Sequence, residues 1–287
     1  MNLLDLLKNA KKNGLVFPAI RESRAKQMYE DRKNYKWRPG KIVSPGKMMF
    51  NVCIHDFYQD IDNPEGKSID TEVNYYKGCN GKAKHQEFQD ELKKLKTPWL
   101  RLFPAIDESK IHPEALKVLK KYGRKYEGSI EFPLYIEKYQ MLGYIDAIVE
   151  EVKKGVPTGE PIIGDFKIKH YTSKVFKDQL KSNLIPLEKD FTQVCVYLWE
   201  LTENNILGVK PKKGMLWYYN STEIGEIDAE QEFRIDFRDD LRELTGQLLD
   251  EHKKQALNYM NKGNCGCNWL FCPIHGAEEV NIRQWIS

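Results

Sequence analysis

Two successive alternating segments, each with one aspartate set among β-forming residues, most constrain what this chain can fold into. Pro161-Ile162-Ile163-Gly164-Asp165-Phe166-Lys167-Ile168-Lys169 reads as a strand. Side chains alternate across a strand, so Ile162, Gly164, Phe166 and Ile168 are expected to face a core. Ile163, Asp165, Lys167 and Lys169 face the other way. The preceding segment, Met141 to Val149, places Ile145, Ala147 and Val149 on an apolar face and Asp146 on the opposite one. Between them, Lys153 to Glu160 is a loop by its Gly and Pro content. A hairpin folding near Gly155 and Val156 brings Asp146 opposite Asp165. Directly opposed residues have Cβ atoms roughly 4.5–5.5 Å apart. Two carboxylates that close repel by about 4 kcal/mol at a protein-surface dielectric. A divalent cation reverses the sign, because hard cations take oxygen ligands. Lys167 can then hold or deprotonate an attacking water, or stabilise charge developing on a phosphate. Ordinary surface charges on an exposed hairpin are the plain alternative for any isolated D-x-K.

Two further elements carry polar groups that fit such a site. His85 opens a helical stripe continued by Phe88, Leu92 and Leu95, so its imidazole points toward the protein body. There it can ligate a metal or serve as a core histidine. Downstream, Asp190 to Leu201 has helical period. Gln193 and Tyr197 share one face, while Val194, Leu198 and Leu201 form a separate apolar stripe.

The order G-x-x-x-H (Gly81 to His85), G-x-x-D (Gly143 to Asp146), D-x-K (Asp165 to Lys167) and Q-x-x-x-Y (Gln193 to Tyr197) resembles the RecB-type PD-(D/E)XK exonuclease family. The resemblance runs from about Gly78 to Leu201. Each motif is common alone, and it is the four in this order that carry the likeness. The resemblance implies an α/β fold with a restriction-endonuclease-like core and a mixed central sheet. It implies a deoxyribonuclease using Mg²⁺ or Mn²⁺ held by His85, Asp146 and Asp165. Lys167 would assist attack, and Gln193 and Tyr197 would contact DNA. The sequence departs at Gly164-Asp165, where the family name advertises Pro-Asp.

The chain has six cysteines. Cys195 falls on the apolar side of its helix and is expected in the core, and Cys79 lies in a turn-like stretch. Cys265, Cys267 and Cys272 crowd the C-terminus, while Cys53 follows Ser44-Pro45 near the start. This one-plus-three split resembles the iron–sulfur, CRISPR-associated RecB-like branch of the family. That resemblance implies a 4Fe-4S cluster on the four thiolates, the count such a cluster needs. The late spacing here is C-x-C-x4-C, where that branch usually has C-x2-C-x5-C. Zinc on Cys265, Cys267, Cys272 and His275 is the competing site, and unliganded thiols are the third possibility.

At 41% hydrophobic residues the chain can bury a sizeable core. Its net charge of +3 is too small to indicate nucleic acid by itself. The clusters Lys167, Lys169, His170, Lys174, Lys177, Lys181 and Lys117, Lys120, Lys121, Arg124, Lys125 suit a phosphate backbone or a solvated face equally well. No bilayer-length apolar run or signal peptide is seen, which points to a cytoplasmic, reducing setting. One nuclease domain is expected, with a helical cap over 1–78 (helices at about Leu3 to Lys12, Ser23 to Asn34 and Pro45 to Tyr58), a core over 79–240 that includes a strand near Asn205 to Lys210, and a C-terminal helix and cysteine segment over 241–287. Without a phosphate-loop motif, ATP hydrolysis would have to come from a separate helicase or recombination partner. The function expected is a metal-dependent exonuclease acting on DNA ends or single strands. The alternatives are a catalytically silent DNA-binding scaffold and a structure-specific endonuclease.

Overall fold

The computed structural model describes residues 72–287 except 96, 122, 124, 222–229 and 263–280. In chain order these form α1 (Glu72–Lys93), β1 (Leu100–Leu102), α2 (Pro113–Lys121), β2 (Ile130–Ile136), β3 (Met141–Lys153) and β4 (Val156–Lys169). Then come α3 (Ser173–Lys181), α4 (Glu188–Glu203), β5 (Lys213–Asn220), β6 (Glu230–Asp236) and α5 (Asp239–Lys262). The strands make one mixed sheet ordered β1-β3-β4-β5-β6, with β2 also paired to β3. Only β4 and β5 run parallel, and α3 and α4 connect them. The fold is therefore a mixed α/β layer structure.

Both faces of the sheet are buried, which corrects the expectation of a one-sided hairpin. Under α4 and α5 lies the larger core, with Ile163, Phe191, Val194, Leu198, Leu216 and Leu248. On the other face Ile130, Ala147, Val149 and Ile162 pack with Leu92 of α1 and Trp217. Ile163 and Ile162 of β4 thus serve opposite cores, as a central strand must. The expected common face of Ile145, Ala147 and Val149 is also corrected. Ile145 joins the core under α4, while Ala147 and Val149 join the one under α1. Cys195 is fully buried, in line with its reading as a core residue.

The loop expected over Lys153 to Glu160 is corrected, since Val156 to Glu160 belong to β4, and the hairpin turn lies one residue earlier than expected. Lys153 pairs with Val156, and Lys154 (φ 52) and Gly155 (φ 77) form the turn. Two positive φ values in a two-residue loop match the right-handed twist of the flanking strands. A bulge between Glu150 and Val152 then shifts the register, so that Glu150 faces Pro161 and Ala147 faces Gly164. The two offsets cancel.

Other boundaries differ for identifiable reasons. The helix expected from His85 begins at Glu72 and takes Gly78, Cys79 and Gly81 into α1, although such residues read as a turn. Asn205 to Lys210, expected as a strand, is a turn in which Asn205 and Gly208 take positive φ. The short strand β1 was not anticipated. Expected helices at Leu3–Lys12, Ser23–Asn34 and Pro45–Tyr58 lie outside the described residues, as do Cys53, Cys265, Cys267, Cys272 and His275. Among the described residues, no helix is long and apolar enough to cross a membrane.

Candidate active site

The site opens where β3 and β4 part. Their ladder runs as far as Ala147 opposite Gly164. Beyond it β3 continues with β2, and β4 continues with β5. Asp146 and Asp165 are the next residues on the two diverging strands. Asp146 spans the gap: its Oδ2 accepts from the Phe166 backbone N–H at 2.6 Å and lies 3.0 Å from His85 Nε2. His85 comes from α1, whose Phe88 stacks on Phe166 at 5.4 Å. Burial pulls the His85 pKa down, but the hydrogen bond and charge of Asp146 outweigh it, and the net shift is upward.

On the other side of the seam, β4 meets α4. Asp165 is 2% exposed. Its Oδ2 lies 2.5 Å from Lys167 Nζ, and its Oδ1 accepts from Gln193 Nε2 at 3.2 Å. Burial above all pushes Asp165 up to about 7; Lys167 opposes the shift and Asp146 adds to it. Lys167 also donates to Gln193 Oε1 at 2.9 Å and lies 3.5 Å from Asp190. Desolvation works against its charge, yet Asp165 and then Asp190 hold its pKa above the ordinary lysine range. Gln193 Nε2 donates in addition to the Tyr197 hydroxyl at 2.8 Å. The glutamine thus binds acid, base and tyrosine in one network.

The motifs are coupled sterically as well. A Cβ on Gly143 would meet Tyr197 Cε1 at 2.6 Å, so the glycine of G-x-x-D makes room for the tyrosine of Q-x-x-x-Y. Gly143→Ala is expected to destabilise the fold by about 1–3 kcal/mol, the usual range for overpacking. It should also slow any reaction at the site, because Tyr197 can no longer hold Gln193. Thermal melts of the variant and of Gly143→Ala/Tyr197→Leu measure this; equal losses in both would contradict the steric cause.

Of the residues singled out from sequence, His85 and Asp146 meet directly, and Asp165, Lys167 and Gln193 form a second group. Tyr197 is 2% exposed, so of this expected pair only Gln193 is partly exposed. Lys169 is tied to Asp190 at 3.1 Å, whereas Lys117, Lys120, Lys121, Lys125, Lys174 and Lys181 are exposed. Three site residues were missed. Asp190, one turn before Gln193, anchors Lys167 and Lys169 and accepts from the Tyr218 hydroxyl; the i−3 spacing was the available signal. Gln89, one turn after His85, is 2% exposed and donates to Glu131 Oε1 at 2.7 Å. Glu131 gave no sequence signal.

The donor set suits a divalent cation. Ligand atoms of His85, Glu131 and Asp146 lie within 4.8 Å of one another. The buried Asp165 Oδ2 has no well-aligned hydrogen bond, only its ion pair with Lys167. One imidazole with carboxylates fits Mn²⁺ or Mg²⁺ better than a soft metal.

No protein-family model matches this chain, and no curated protein matches it. Among solved structures it is similar to the protein SSO0001, at 16% identity and a TM-score of 0.37, over 82% of this chain and 85% of that one. It is also similar to an alkaline exonuclease, LHK-Exo from Laribacter hongkongensis, at 12% identity and a TM-score of 0.29, over 79% of this chain and 94% of that one.

Proposed function

We propose that this chain is a metal-dependent deoxyribonuclease, an exonuclease hydrolysing phosphodiester bonds at DNA ends or in single strands. Mg²⁺ or Mn²⁺ would be held by His85, Asp146 and Asp165. What carries the reading is one arrangement: a splayed strand pair holds two buried carboxylates, Asp146 against the His85 imidazole of α1 and Asp165 against a lysine that is itself fixed by a glutamine. A divalent ion there supplies Lewis acidity toward a phosphoryl oxygen and lowers the pKa of a bound water. His85 and Asp146 fix the acidic side of the cleft, and Phe166 N–H orients the Asp146 carboxylate. Lys167, lying between Asp165 and Asp190, is an ammonium. Its role is to donate toward developing charge on the phosphate, more than to take a proton from water. Gln193 keeps Lys167 and Asp165 in register, and Tyr197 keeps Gln193 in place. The exposed lysines of α2 and α3 offer phosphate contacts to the rest of the strand.

Cys53, Cys265, Cys267 and Cys272 are proposed as ligands of a 4Fe-4S cluster that shapes the DNA path, with zinc on Cys265, Cys267, Cys272 and His275 as the rival. Broad visible absorbance after anaerobic purification supports the cluster; a colourless protein with stoichiometric zinc overturns it. A separate helicase would supply unwinding.

Asp165 keeps its proton up to about pH 7 in the metal-free site, and cation binding must displace that proton. Mn²⁺ affinity is therefore expected to rise between about pH 6 and 8. Calorimetry in buffers of unlike ionisation enthalpy should register up to two protons released per ion, one from Asp165 and one from His85, whose pKa is also shifted upward; an affinity flat with pH would contradict this. The nuclease reading is tested with linear and circular single-stranded DNA in Mn²⁺. Loss of the linear form with the circle intact supports an exonuclease. Cleavage of the circle means an endonuclease, and no cleavage of either means a scaffold.

A further inference from the structure

Glu131 occupies a backbone state that a strand residue does not ordinarily take. It is inside β2, yet its φ is 49, in the left-handed region where a non-glycine residue is strained. Its neighbours Ile130 and Phe132 pair with Ala147 and Ile145, so Glu131 lies across from Asp146. Alternation reverses at this pair in both strands. Ile130 and Ala147 belong to the core under α1, and Phe132 and Ile145 to the core under α4. The reversal turns both acidic side chains toward His85: one ligand atom from each of the three residues falls within 4.8 Å of the others. Gln89 holds the arrangement from α1. Its Nε2 donates to Glu131 Oε1 at 2.7 Å and lies 3.4 Å from His85 Nε2. An uncharged N–H donor thus sits beside both the imidazole and the carboxylate.

We propose that Glu131 is a further protein ligand of the cation, with Gln89 as the residue that positions it, and that the resulting set of one nitrogen and several carboxylate oxygens takes Mn²⁺ more tightly than Mg²⁺. The assignment rests on reading the seam as a cation site. The left-handed backbone at Glu131 accompanies the placement of its carboxylate with Asp146 on the His85 side of the seam. The ion preference follows from the donors: Mg²⁺ demands oxygen ligands and dehydrates reluctantly, whereas an imidazole nitrogen costs Mn²⁺ less.

Glycine suits a positive φ, so Glu131→Gly removes the ligand and relieves the strain together. Isothermal titration of the full-length protein with Mn²⁺, and separately with Mg²⁺, is the test, with metal-free melts alongside. Glu131→Gly is expected to weaken Mn²⁺ binding by at least about tenfold, and Gln89→Ala by roughly 10-fold, as loss of an orienting partner does. The metal-free melting temperature of Glu131→Gly should be unchanged or raised. Wild-type Mn²⁺ affinity in Glu131→Gly would overturn the assignment, as would a melting temperature that falls in step with the affinity. Glu131→Gln, which keeps the side-chain size, must show the same loss of affinity. Equal wild-type affinity for both ions would overturn the preference. Cleavage is scored on the same preparations. Glu131-dependent Mn²⁺ binding without wild-type cleavage retains Glu131 as a ligand and discards the nuclease reading. Cleavage with binding indifferent to Glu131 does the reverse.

Discussion

Replacing Lys167 with methionine should lower Mn²⁺-dependent DNA cleavage by about 100- to 1,000-fold, the range for removing one donor aimed at developing charge. Methionine keeps most of the volume under α4 and removes only the ammonium. The same change leaves Asp165 buried with Gln193 as its remaining close partner. Removing one member of a buried ion pair costs about 3–5 kcal/mol when the other stays charged. Here the cost is smaller, because Asp165 already sits near a pKa of about 7 and can take a proton. The metal-free variant is thus expected to lose stability more at high pH than at low pH. The sign follows from linkage: a carboxyl whose folded pKa is raised contributes most below its unfolded pKa, and that contribution fades as pH rises through the folded value. Mn²⁺ should restore the melting temperature without restoring cleavage. Cleavage within a few-fold of wild type would remove Lys167 from the chemistry.

The second large effect is expected at Gly164, the position where the sequence departs from Pro-Asp. A Cβ there would lie 1.8 Å from Trp217 Cη2, because the Trp217 indole crosses the strand at this residue and also contacts Phe166 at 4.7 Å between ring centres. Any side chain must displace the indole. Proline would also remove an N–H from a strand paired on both edges. Gly164→Ala is therefore expected to destabilise by about 3 kcal/mol, the upper end for overpacking, and to misplace the adjacent Asp165. Trp217→Leu alone should cost stability too, but in the double variant the two losses should fall well short of additive, as for residues in contact. Strict additivity in urea melts would show that the indole is not the obstacle.

The sequence made the two strands legible through their β-forming runs, but not their divergence, because the expected alternation in β3 reverses at Asp146 and most of the Gly-Pro stretch is strand. It made the register legible only through two offsets that cancel, a turn at Lys154-Gly155 and a bulge after Glu150. Helix α4 was legible because Phe191, Val194, Leu198 and Leu201 repeat at helical spacing. The start of α1 was not, because Gly78 and Gly81 disfavour helix locally. The burial of Tyr197 was hidden because its partner is a glycine, whose lack of a side chain reads as flexibility instead of a slot. Glu131 was hidden for a deeper reason: alternation assumes an extended backbone at every position, and this residue breaks that assumption.

On the proposed function, the acidic residues of the two diverging strands act together on one cation. Single-turnover cleavage of end-labelled DNA at saturating Mn²⁺, comparing wild type with Asp165→Asn, tests it most directly. The wild type is expected to cleave and the variant to lose at least about a hundredfold, with a metal-free melt run alongside to separate lost chemistry from lost stability, since Lys167 gives up Asp165 and keeps Asp190 and Gln193. Equal cleavage by the two proteins would contradict it.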